Sequence, residues 1–341
     1  MTQTVLPTVE LGTGGPLVGV QGLGCMGMSE FYGQTDTDEA LATLDAALEA
    51  GVTLFDTADM YGHGRNEELI GPFVRANRDK VVIATKFAVV REEGNGGVGS
   101  VRGMIRNDPA YIRTAVDASL RRLGVDVIDV YYMHRRNPAV PLADSVGAMA
   151  ELVTAGKVRH LGLSEVTGAE LREAHAVHPI AAIQSEWSVF ARDVERTAVP
   201  AAAELGVAFV PYSPLGRGFL TGAFQNAEDL PADDFRRIFP RFTGDNAAAN
   251  AELLAPLREI AAARGVTTAQ VALAWVHQRA EVHGLAVVPI PGTRKRSRLA
   301  ENTAAATLRL SAEELALLEP VADRVAGDRY ADMSGTSAGR E

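Results

Sequence analysis

Four side chains that can move or hold protons lie at, or just after, the ends of three β-rich runs in the sequence. Asp56 ends TLFD, Lys86 ends VVIATK and His134 ends VIDVYYMH, while Tyr61 follows Asp56 within one short loop. Taken singly, each has an ordinary explanation as a capping carboxylate, a packed aromatic, a solvated charge or a structural histidine. Parallel strands of one barrel would bring all four to the same rim, and that convergence indicates a catalytic site.

These four residue types suit the reduction of a carbonyl group, which needs a hydride at carbon and a proton at oxygen. Tyr61 can supply the proton if its pKa, ordinarily ~10, is brought closer to neutrality. The Lys86 ammonium would lower that pKa by favouring the phenolate, and the Asp56 carboxylate would hold the lysine in place. His134 would donate a hydrogen bond to the carbonyl oxygen, orienting it and stabilising its developing charge.

The elements that must position these residues recur along the chain as β-rich runs, each followed by a segment of helical length. Eight such runs occur, at residues 17–24, 53–56, 81–86, 127–134, 158–164, 180–186, 207–213 and 285–291. Amphipathic patterns between them predict helices that include residues 37–50, 109–123, 143–155 and 251–264. Apolar strands that alternate with helices in this way favour an α/β fold, the (β/α)8 TIM barrel, over an open sheet.

We therefore predict a single (β/α)8 barrel domain over residues 1–333, which begins with a small N-terminal β-hairpin over residues 9–20. Two long irregular stretches, Val90 to Asp108 and Gly216 to Asn250, would follow strands and form long loops, or lids, on the C-terminal face. The last residues, 334–341, are small and polar and are predicted to form a flexible tail.

Composition argues against several classes of function. The 341-residue chain has a net charge of -10 and gathers basic residues only in a short cluster (Arg294, Lys295, Arg296 and Arg298), so no nucleic-acid partner is expected. The single cysteine, Cys25, permits no internal disulfide and no zinc spacing occurs, which predicts a reducing compartment and no metal. No signal-peptide pattern and no apolar run of ~20 residues are present, so we expect a cytoplasmic protein with no membrane partner.

The sequence resembles the aldo-keto reductase superfamily over nearly its whole length. The stretches that carry the resemblance are FDTADMYGHGRNEELIG, ATKF, YYMHRRNP, GKVRHLGLSE, IQSEWSVF, VPYSPLGRGFLTG and VPIPGTRKRSRLAEN. The family's Asp, Tyr, Lys and His tetrad matches Asp56, Tyr61, Lys86 and His134. The resemblance implies a metal-free, NADPH-dependent oxidoreductase of the alcohol dehydrogenase (NADP+) type, which reduces aldehydes or ketones to alcohols by direct hydride transfer with Tyr61 as the proton donor.

The resemblance also implies which residues bind NADPH. The nicotinamide would be held by Ser164, Glu165 and Gln184, would stack on Tyr212 and would lie near Met26; Glu165 stands where the family more commonly has Asn. The loop that matches the family's pyrophosphate loop contributes Ser213, Pro214, Leu215 and Arg217. The adenosine-phosphate segment contributes Gly292, Thr293, Lys295, Arg298, Glu301 and Asn302, with the basic residues suited to a 2′-phosphate at a helix start.

One other motif, GLGCMG at residues 22–27, satisfies the dinucleotide-binding pattern G-x-G-x-x-G. A Rossmann fingerprint must open a helix directly after its strand, whereas SEFYGQTDTDE intervenes before the first helical pattern. We therefore interpret this segment as part of the floor of the site.

The substrate pocket is expected to be apolar and partly aromatic. Phe87 and Trp187 are its predicted walls, and His63, two residues after Tyr61, is placed at its edge. Small aromatic aldehydes, pyridoxal-like compounds, quinones and dicarbonyls would suit such a pocket better than sugars.

Two other functions stay open on the sequence alone. A barrel aldolase would use Lys86 to form a Schiff base with a carbonyl substrate, although the cofactor-binding stretches count against it. A redox-sensing regulatory subunit would bind NADPH and act on a partner, and an intact tetrad does not exclude that role.

Overall fold

The computed structural model describes residues 5–91 and 104–341, so the central part of the first predicted lid, residues 92–103, lies outside the described residues. The chain begins with the predicted hairpin, in which β1 (Thr8–Glu10) pairs antiparallel with β2 (Leu17–Gly19). The run at residues 17–24, predicted as one barrel strand, is therefore divided. Its first half belongs to the hairpin, and only β3 (Leu23–Gly24) joins the barrel.

A parallel sheet of seven strands forms the centre of the described structure. After β3 come β4 (Leu54–Asp56), β5 (Val82–Phe87), β8 (Ile128–Met133), β9 (Val158–Ser164), β10 (Ile180–Glu186) and β11 (Ala208–Tyr212), hydrogen-bonded in chain order. A separate antiparallel pair, β6 (Val89–Val90) with β7 (Met104–Ile105), follows β5. The predicted strands at 158–164 and 180–186 match the observed bounds, and those at 53–56, 81–86, 127–134 and 207–213 match within one residue at either end.

The eighth predicted strand, residues 285–291, closes the barrel without forming a regular strand. It makes isolated parallel bridges to both edges of the sheet, Phe209 with Val287 and Gly24 with Gly292. Val288 and Ile290 donate to backbone oxygens of Phe209 and Pro211, but Pro289 and Pro291 have no N–H group to donate toward β3. The result is a nearly closed (β/α)8 barrel, as predicted.

Along the barrel strands, side chains alternate between the barrel interior and the layer beneath the helices. The interior is filled by Leu11, Val18, Leu54, Ala84, Val130, Tyr132, Ala182, Ala208, Val210, Val288 and Ile290. Tyr132 occupies the centre because its register partner is Gly162. A Cβ at that glycine would lie 2.3 Å from the tyrosine ring, so only glycine leaves the required space. This alternation decides which strand-end residues point into the mouth.

Helices surround the barrel, and their bounds follow the predicted patterns closely. They are α1 (Thr37–Glu49), α2 (Arg65–Ala76), α3 (Pro109–Leu123), α4 (Leu142–Thr154), α5 (Gly168–Val177), α6 (Ala198–Leu205), α7 (Gly244–Glu252), α8 (Ala255–Arg264), α9 (Thr268–His283), α10 (Arg296–Ala304) and α11 (Ala312–Leu318). The predicted helix at 251–264 was wrong in one respect, because Pro256 in the first turn of α8 starts a new helix there. GLGCMG leads only into a single 3₁₀ turn, Met26–Met28, as expected for a segment that is not a Rossmann fingerprint.

The second predicted lid, Gly216 to Asn250, is built around packed aromatic rings. Its 3₁₀ turns bring together Phe219, Phe224, Phe235, Phe239 and Phe242, whose ring centroids lie 4.7–6.1 Å apart in contacting pairs. Phe235 also packs on Phe31, from the loop after β3, at 4.9 Å. This aromatic cluster gives the loop its own small core beside the barrel mouth.

The last residues, 334–341, which composition predicts as a flexible tail, make defined contacts in the structure. Thr336 and Ser337 are buried, and Arg340 pairs with Glu170 of α5 at 2.9 Å. Arg340 also donates to the backbone oxygen of Glu165 at 2.6 Å. The end of the chain is thereby packed against the C-terminal face of the barrel. Among the described helices, none has both the length and the apolar character needed to cross a membrane.

Candidate active site

The four tetrad candidates meet at the C-terminal rim of the barrel. Asp56 is paired in register with Ala84, and Lys86 lies two residues beyond Ala84 on the same inward face. Lys86 Nζ donates to Asp56 Oδ1, to the backbone oxygen of Thr57 at 2.8 Å and to Tyr61 Oη at 3.4 Å. The barrel therefore holds a buried lysine between a carboxylate and a phenol.

His134 completes this group from the end of β8. Its ring lies edge-on to the Tyr61 ring, with centroids 5.9 Å apart. Burial, reinforced by the charges of Arg135 and Lys86, lowers the pKa of His134 well below its ordinary value. The imidazole is therefore neutral at physiological pH and carries one N–H that it can donate.

The charge balance around Tyr61 differs in one respect from the sequence-based expectation. Burial raises the pKa of the Tyr61 phenol, and the opposing effect of the Lys86 charge is smaller, so the pKa lies above its ordinary value. Burial would likewise lower the pKa of Lys86, but Asp56 and Tyr61 together hold it above the usual range. The structure thus presents a protonated phenol beside a charged lysine.

Residues behind the rim fix the loop that carries Tyr61. Thr57 Oγ1 donates to Asn66 Oδ1 at 2.6 Å, and Asn66 Nδ2 donates to the backbone oxygen of Cys25 at 2.9 Å. Glu67 is fully buried, where it accepts from Thr85 Oγ1 and pairs with Arg122 at 2.6 Å. These bonds tie the start of α2 to β3 and β5, so the Tyr61 loop has a defined position.

Two of the three residues assigned to the nicotinamide lie side by side in the mouth. Ser164, the last residue of β9, is the register partner of Gln184, which lies two residues before the end of β10. Gln184 Nε2 donates to Asp56 Oδ2 at 2.8 Å, which leaves the amide oxygen of Gln184 without a hydrogen bond from any described residue. Both residues are buried and both can hydrogen-bond to a polar group above the tetrad.

Glu165 is placed differently from its sequence-based assignment. It has a φ of 53° and is fully buried, and its carboxylate forms an ion pair with Arg329 at 3.0 Å. Tyr212 Oη also donates to it, at 2.6 Å. Burial alone would raise the pKa of Glu165, but Arg329 and these hydrogen bonds hold it far below its ordinary value. The carboxylate oxygens of Glu165 are occupied by these contacts, so they are not free to accept a hydrogen bond from a ligand in the mouth.

The remaining members of the predicted cofactor set are spread along one side of the mouth. Tyr212, Ser213 and Leu215 are partly exposed, Pro214 is buried, and Met26 packs near Tyr61. Arg217, expected at the pyrophosphate, is turned inward. Its guanidinium lies 4.3 Å from the centroid of the Phe239 ring and donates to Tyr330 Oη at 2.9 Å.

In the basic cluster at the start of α10, two side chains contact other parts of the fold and two form no ion pair with the described residues. Arg294 donates to backbone oxygens of the loop after β3, including Tyr32 O at 2.7 Å, and Arg296 pairs with Glu39 at 2.8 Å. Lys295 and Arg298 are exposed and form no ion pair with the residues that the structure describes. Gly292 is exposed, Glu301 is partly exposed, and Thr293 and Asn302 are buried next to this helix start.

Of the three predicted pocket residues, the structure brings only His63 to the surface near the tetrad. His63 is exposed with a φ of 56°. Phe87 is fully buried and stacks on Tyr131 at 5.0 Å, and Trp187 is fully buried against Phe209 at 4.9 Å. Phe87 ends β5 and Trp187 directly follows β10, and both side chains point outward, so they pack under the helices and not in the mouth.

Three residues that the sequence analysis did not single out lie among the site residues. Arg135 donates to Ser164 Oγ at 3.3 Å, while Arg329 and Tyr330 contact Glu165 and Tyr212. Arg135 could have been noticed, because it directly follows His134 at a strand end. Arg329 and Tyr330 stand 117 or more residues after Tyr212 in an irregular segment, and no local pattern marks them.

Comparisons with known proteins agree on one family. The model of the aldo/keto reductase family matches residues 22–323. A glycerol dehydrogenase from Gluconobacter oxydans is 27% identical with a TM-score of 0.79, over 96% of this chain and 98% of that one. An aldo/keto reductase from Klebsiella pneumoniae, solved with NADP and acetate, is 26% identical with a TM-score of 0.69, over 94% and 99%. A thermostable aldo-keto reductase bound to the inhibitor epalrestat is 28% identical with a TM-score of 0.72, over 93% and 100%.

Proposed function

The chain belongs to the aldo/keto reductase family, and we propose that it reduces aldehydes or ketones to alcohols with NADPH, with Tyr61 as the proton donor. Membership makes it an oxidoreductase that acts on carbonyl compounds. NADPH, when bound, supplies the hydride. The alcohol dehydrogenase (NADP+) type is the reaction that the tetrad supports best.

The observation that carries this proposal is the buried contact of Lys86 with Asp56 and Tyr61 at one rim. Tyr61 keeps its proton at neutral pH and can deliver it to a carbonyl oxygen. Lys86 stabilises the phenolate that remains, and Asp56 keeps the lysine charged and oriented. The neutral His134 donates a second hydrogen bond to the same oxygen, which stabilises the charge developing on it.

The residues at the start of α10 fit the 2′-phosphate of NADPH. Lys295 and Arg298 are cations without an acidic partner among the described residues, and they flank a helix N-terminus, which favours anions. Arg217 would have to leave Tyr330 to reach the pyrophosphate, so we assign that contact to the backbone of the loop at 213–218. Gln184 and Ser164 would hold the nicotinamide.

The aldolase alternative is disfavoured by the state of Lys86. A Schiff-base lysine needs a lowered pKa so that a neutral amine is available. Lys86 has three oxygen partners, and its pKa is held above the usual range. No feature of the described residues favours the redox-sensing role over catalysis, so we retain catalysis as the function.

The substitution Tyr61→Phe tests the proton donor. It removes one hydroxyl from a buried ring, so turnover of an aromatic aldehyde should fall at least 100-fold while the Kd for NADPH stays within about threefold. NADPH absorbance measures turnover, and fluorescence titration measures binding. Tyr131→Phe is the matched control, because its buried hydroxyl has no hydrogen-bond partner in the described structure. Near-normal turnover in Tyr61→Phe would rule out the assigned role.

A further inference from the structure

The Glu165 carboxylate has no acceptor capacity left for a cofactor. Its two oxygens accept from the backbone N of Glu186 at 3.2 Å, Tyr212 Oη at 2.6 Å, both Arg329 Nη atoms at 3.0 and 3.2 Å, and the backbone N of Ser337 at 3.1 Å. A carboxylate offers about four lone-pair sites, so these donors fill it. A nicotinamide carboxamide in the mouth must therefore find another partner on this side.

Arg135 contacts Ser164, the sequence neighbour of Glu165, and has N–H donors that no described residue accepts. Its Nη1 donates to the backbone oxygen of His134 at 2.7 Å and to Ser164 Oγ at 3.3 Å. Within the described part of the chain no carboxylate lies within ion-pair distance of Arg135, and its Nε and Nη2 atoms form no hydrogen bond. Burial would lower the pKa of Arg135, but Tyr212, Tyr330 and Glu165 raise it, so the group stays charged.

The donors and acceptors around this point complement a carboxamide. An amide needs a donor at its oxygen and an acceptor at its NH₂ group. Arg135 supplies donors, the free amide oxygen of Gln184 supplies an acceptor, and Ser164 lies between them at the end of β9. Ser164 Oγ accepts from Arg135, so its own hydrogen stays free to point away from the guanidinium.

We propose that Arg135 replaces Glu165 as the nicotinamide-binding residue and donates to the carboxamide oxygen of the cofactor, while Gln184 accepts from the carboxamide NH₂. Glu165 then acts as a positioning residue that holds Tyr212 and the C-terminal segment. This inference rests on the proposed function, since it assumes that NADP(H) is the cofactor.

The test compares three probes by calorimetric titration. NADP+ carries the carboxamide oxygen, the thionicotinamide analogue of NADP+ replaces that oxygen with sulfur, and 2′,5′-ADP lacks the nicotinamide altogether. In the unsubstituted protein, the analogue should bind more weakly than NADP+ because sulfur is a poor acceptor. Arg135→Met should weaken NADP+ binding about tenfold or more, as expected for losing a hydrogen bond to a charged group. The variant should then bind the analogue and NADP+ about equally.

Unchanged 2′,5′-ADP binding by Arg135→Met would show that the variant is folded and that its loss is confined to the nicotinamide half. Arg135→Lys, which keeps a charged donor, should recover part of the NADP+ affinity. Equal weakening of NADP+ and the analogue by Arg135→Met, or no weakening of either, would overturn the inference while leaving the proposed function intact. Failure of 2′,5′-ADP to bind the unsubstituted protein would instead overturn the proposed cofactor.

Discussion

At the scale of single residues, burial dominates the chemistry of the tetrad. The sequence suggested a tyrosine whose pKa Lys86 brings toward neutrality. In the folded barrel, the desolvation of Tyr61 outweighs the lysine charge, and the pKa lies above its ordinary value. A raised pKa does not prevent a phenol from donating a proton during reduction, because the phenol must be protonated before it acts. In the proposed reaction, Lys86 would stabilise the phenolate after the proton has left.

The raised pKa of Tyr61 predicts the pH profile of reduction. The protonated phenol is lost only as pH rises through its pKa, above ~10, and His134 stays neutral because its pKa is lowered. The value of kcat/KM for aldehyde reduction should therefore be flat, within about twofold, from pH 6.5 to 9. Initial rates of NADPH oxidation at saturating cofactor measure it. A decline centred between pH 7 and 8 would mean that Lys86 outweighs burial after all.

At the scale of elements, the tetrad and the basic residues lie on different parts of the fold. Strand ends carry the tetrad, and the start of one helix carries the basic residues. The strands β4, β5 and β8 deliver the proton-handling groups, because parallel strands end on the same face and residues two apart share one side. The start of α10 supplies cations at the outer edge of this face. Its four basic residues are not equivalent, since the fold uses Arg294 and Arg296 for its own contacts.

This division predicts a selective effect on cofactor choice. Arg298→Ala should weaken NADPH binding about 10- to 100-fold, the value of a lost charge-assisted hydrogen bond, and should change the Kd for NADH less than threefold. Arg296→Ala is the matched control on the same helix, because its guanidinium is bound to Glu39, and it should leave both affinities nearly unchanged. Fluorescence titration with both nucleotides measures the effect. Equal losses for NADPH and NADH would refute a 2′-phosphate contact.

At the scale of the whole molecule, the end of the chain is part of the site. Arg329, Ser337 and Arg340 all contact Glu165, which lies at the end of β9 in the first half of the sequence. Tyr330 also accepts a hydrogen bond from Arg217, in the loop at residues 216–250 that contains the aromatic cluster. The C-terminal segment therefore joins Glu165, at the mouth, to the loop at residues 216–250, and both regions should respond when the segment is shortened.

Truncation after Met333 tests this link. The loss of Ser337 and Arg340 uncovers a buried carboxylate, so Tm should fall, on the order of 1–2 °C for each kcal/mol lost in a chain of this length. The Kd for NADPH should rise severalfold because Glu165, without the contacts of Ser337 and Arg340, holds Tyr212 less rigidly. A chain ending at Ala338 keeps Ser337 and serves as the control, with a smaller change in both quantities. Scanning calorimetry and nucleotide titration measure them, and unchanged values after Met333 would show that the tail contributes nothing.

The sequence was sufficient to predict the fold class, six of the eight barrel strands and three helices to within one residue, and the convergence of Asp56, Tyr61, Lys86 and His134. These follow from local patterns, namely apolar runs, helical periodicity and the rule that parallel strands end on one face. The alternation of side chains along a strand also predicts the orientation of the aromatic residues at strand ends. Phe87 follows the inward-facing Lys86, so a period of two places it outside the barrel, and Trp187 follows Glu186 in the same way.

The environment of Glu165 depends on tertiary contacts that no local pattern encodes. Its partners come from Tyr212, Arg329 and Ser337, which are distant in sequence and meet it through the closure of the barrel and the return of the chain end. The charge state of Tyr61 was decided in the same way, because desolvation depends on every group packed around the phenol and not on its sequence neighbours. Contacts of this kind carry no local signal, so they become visible only once the chain is folded.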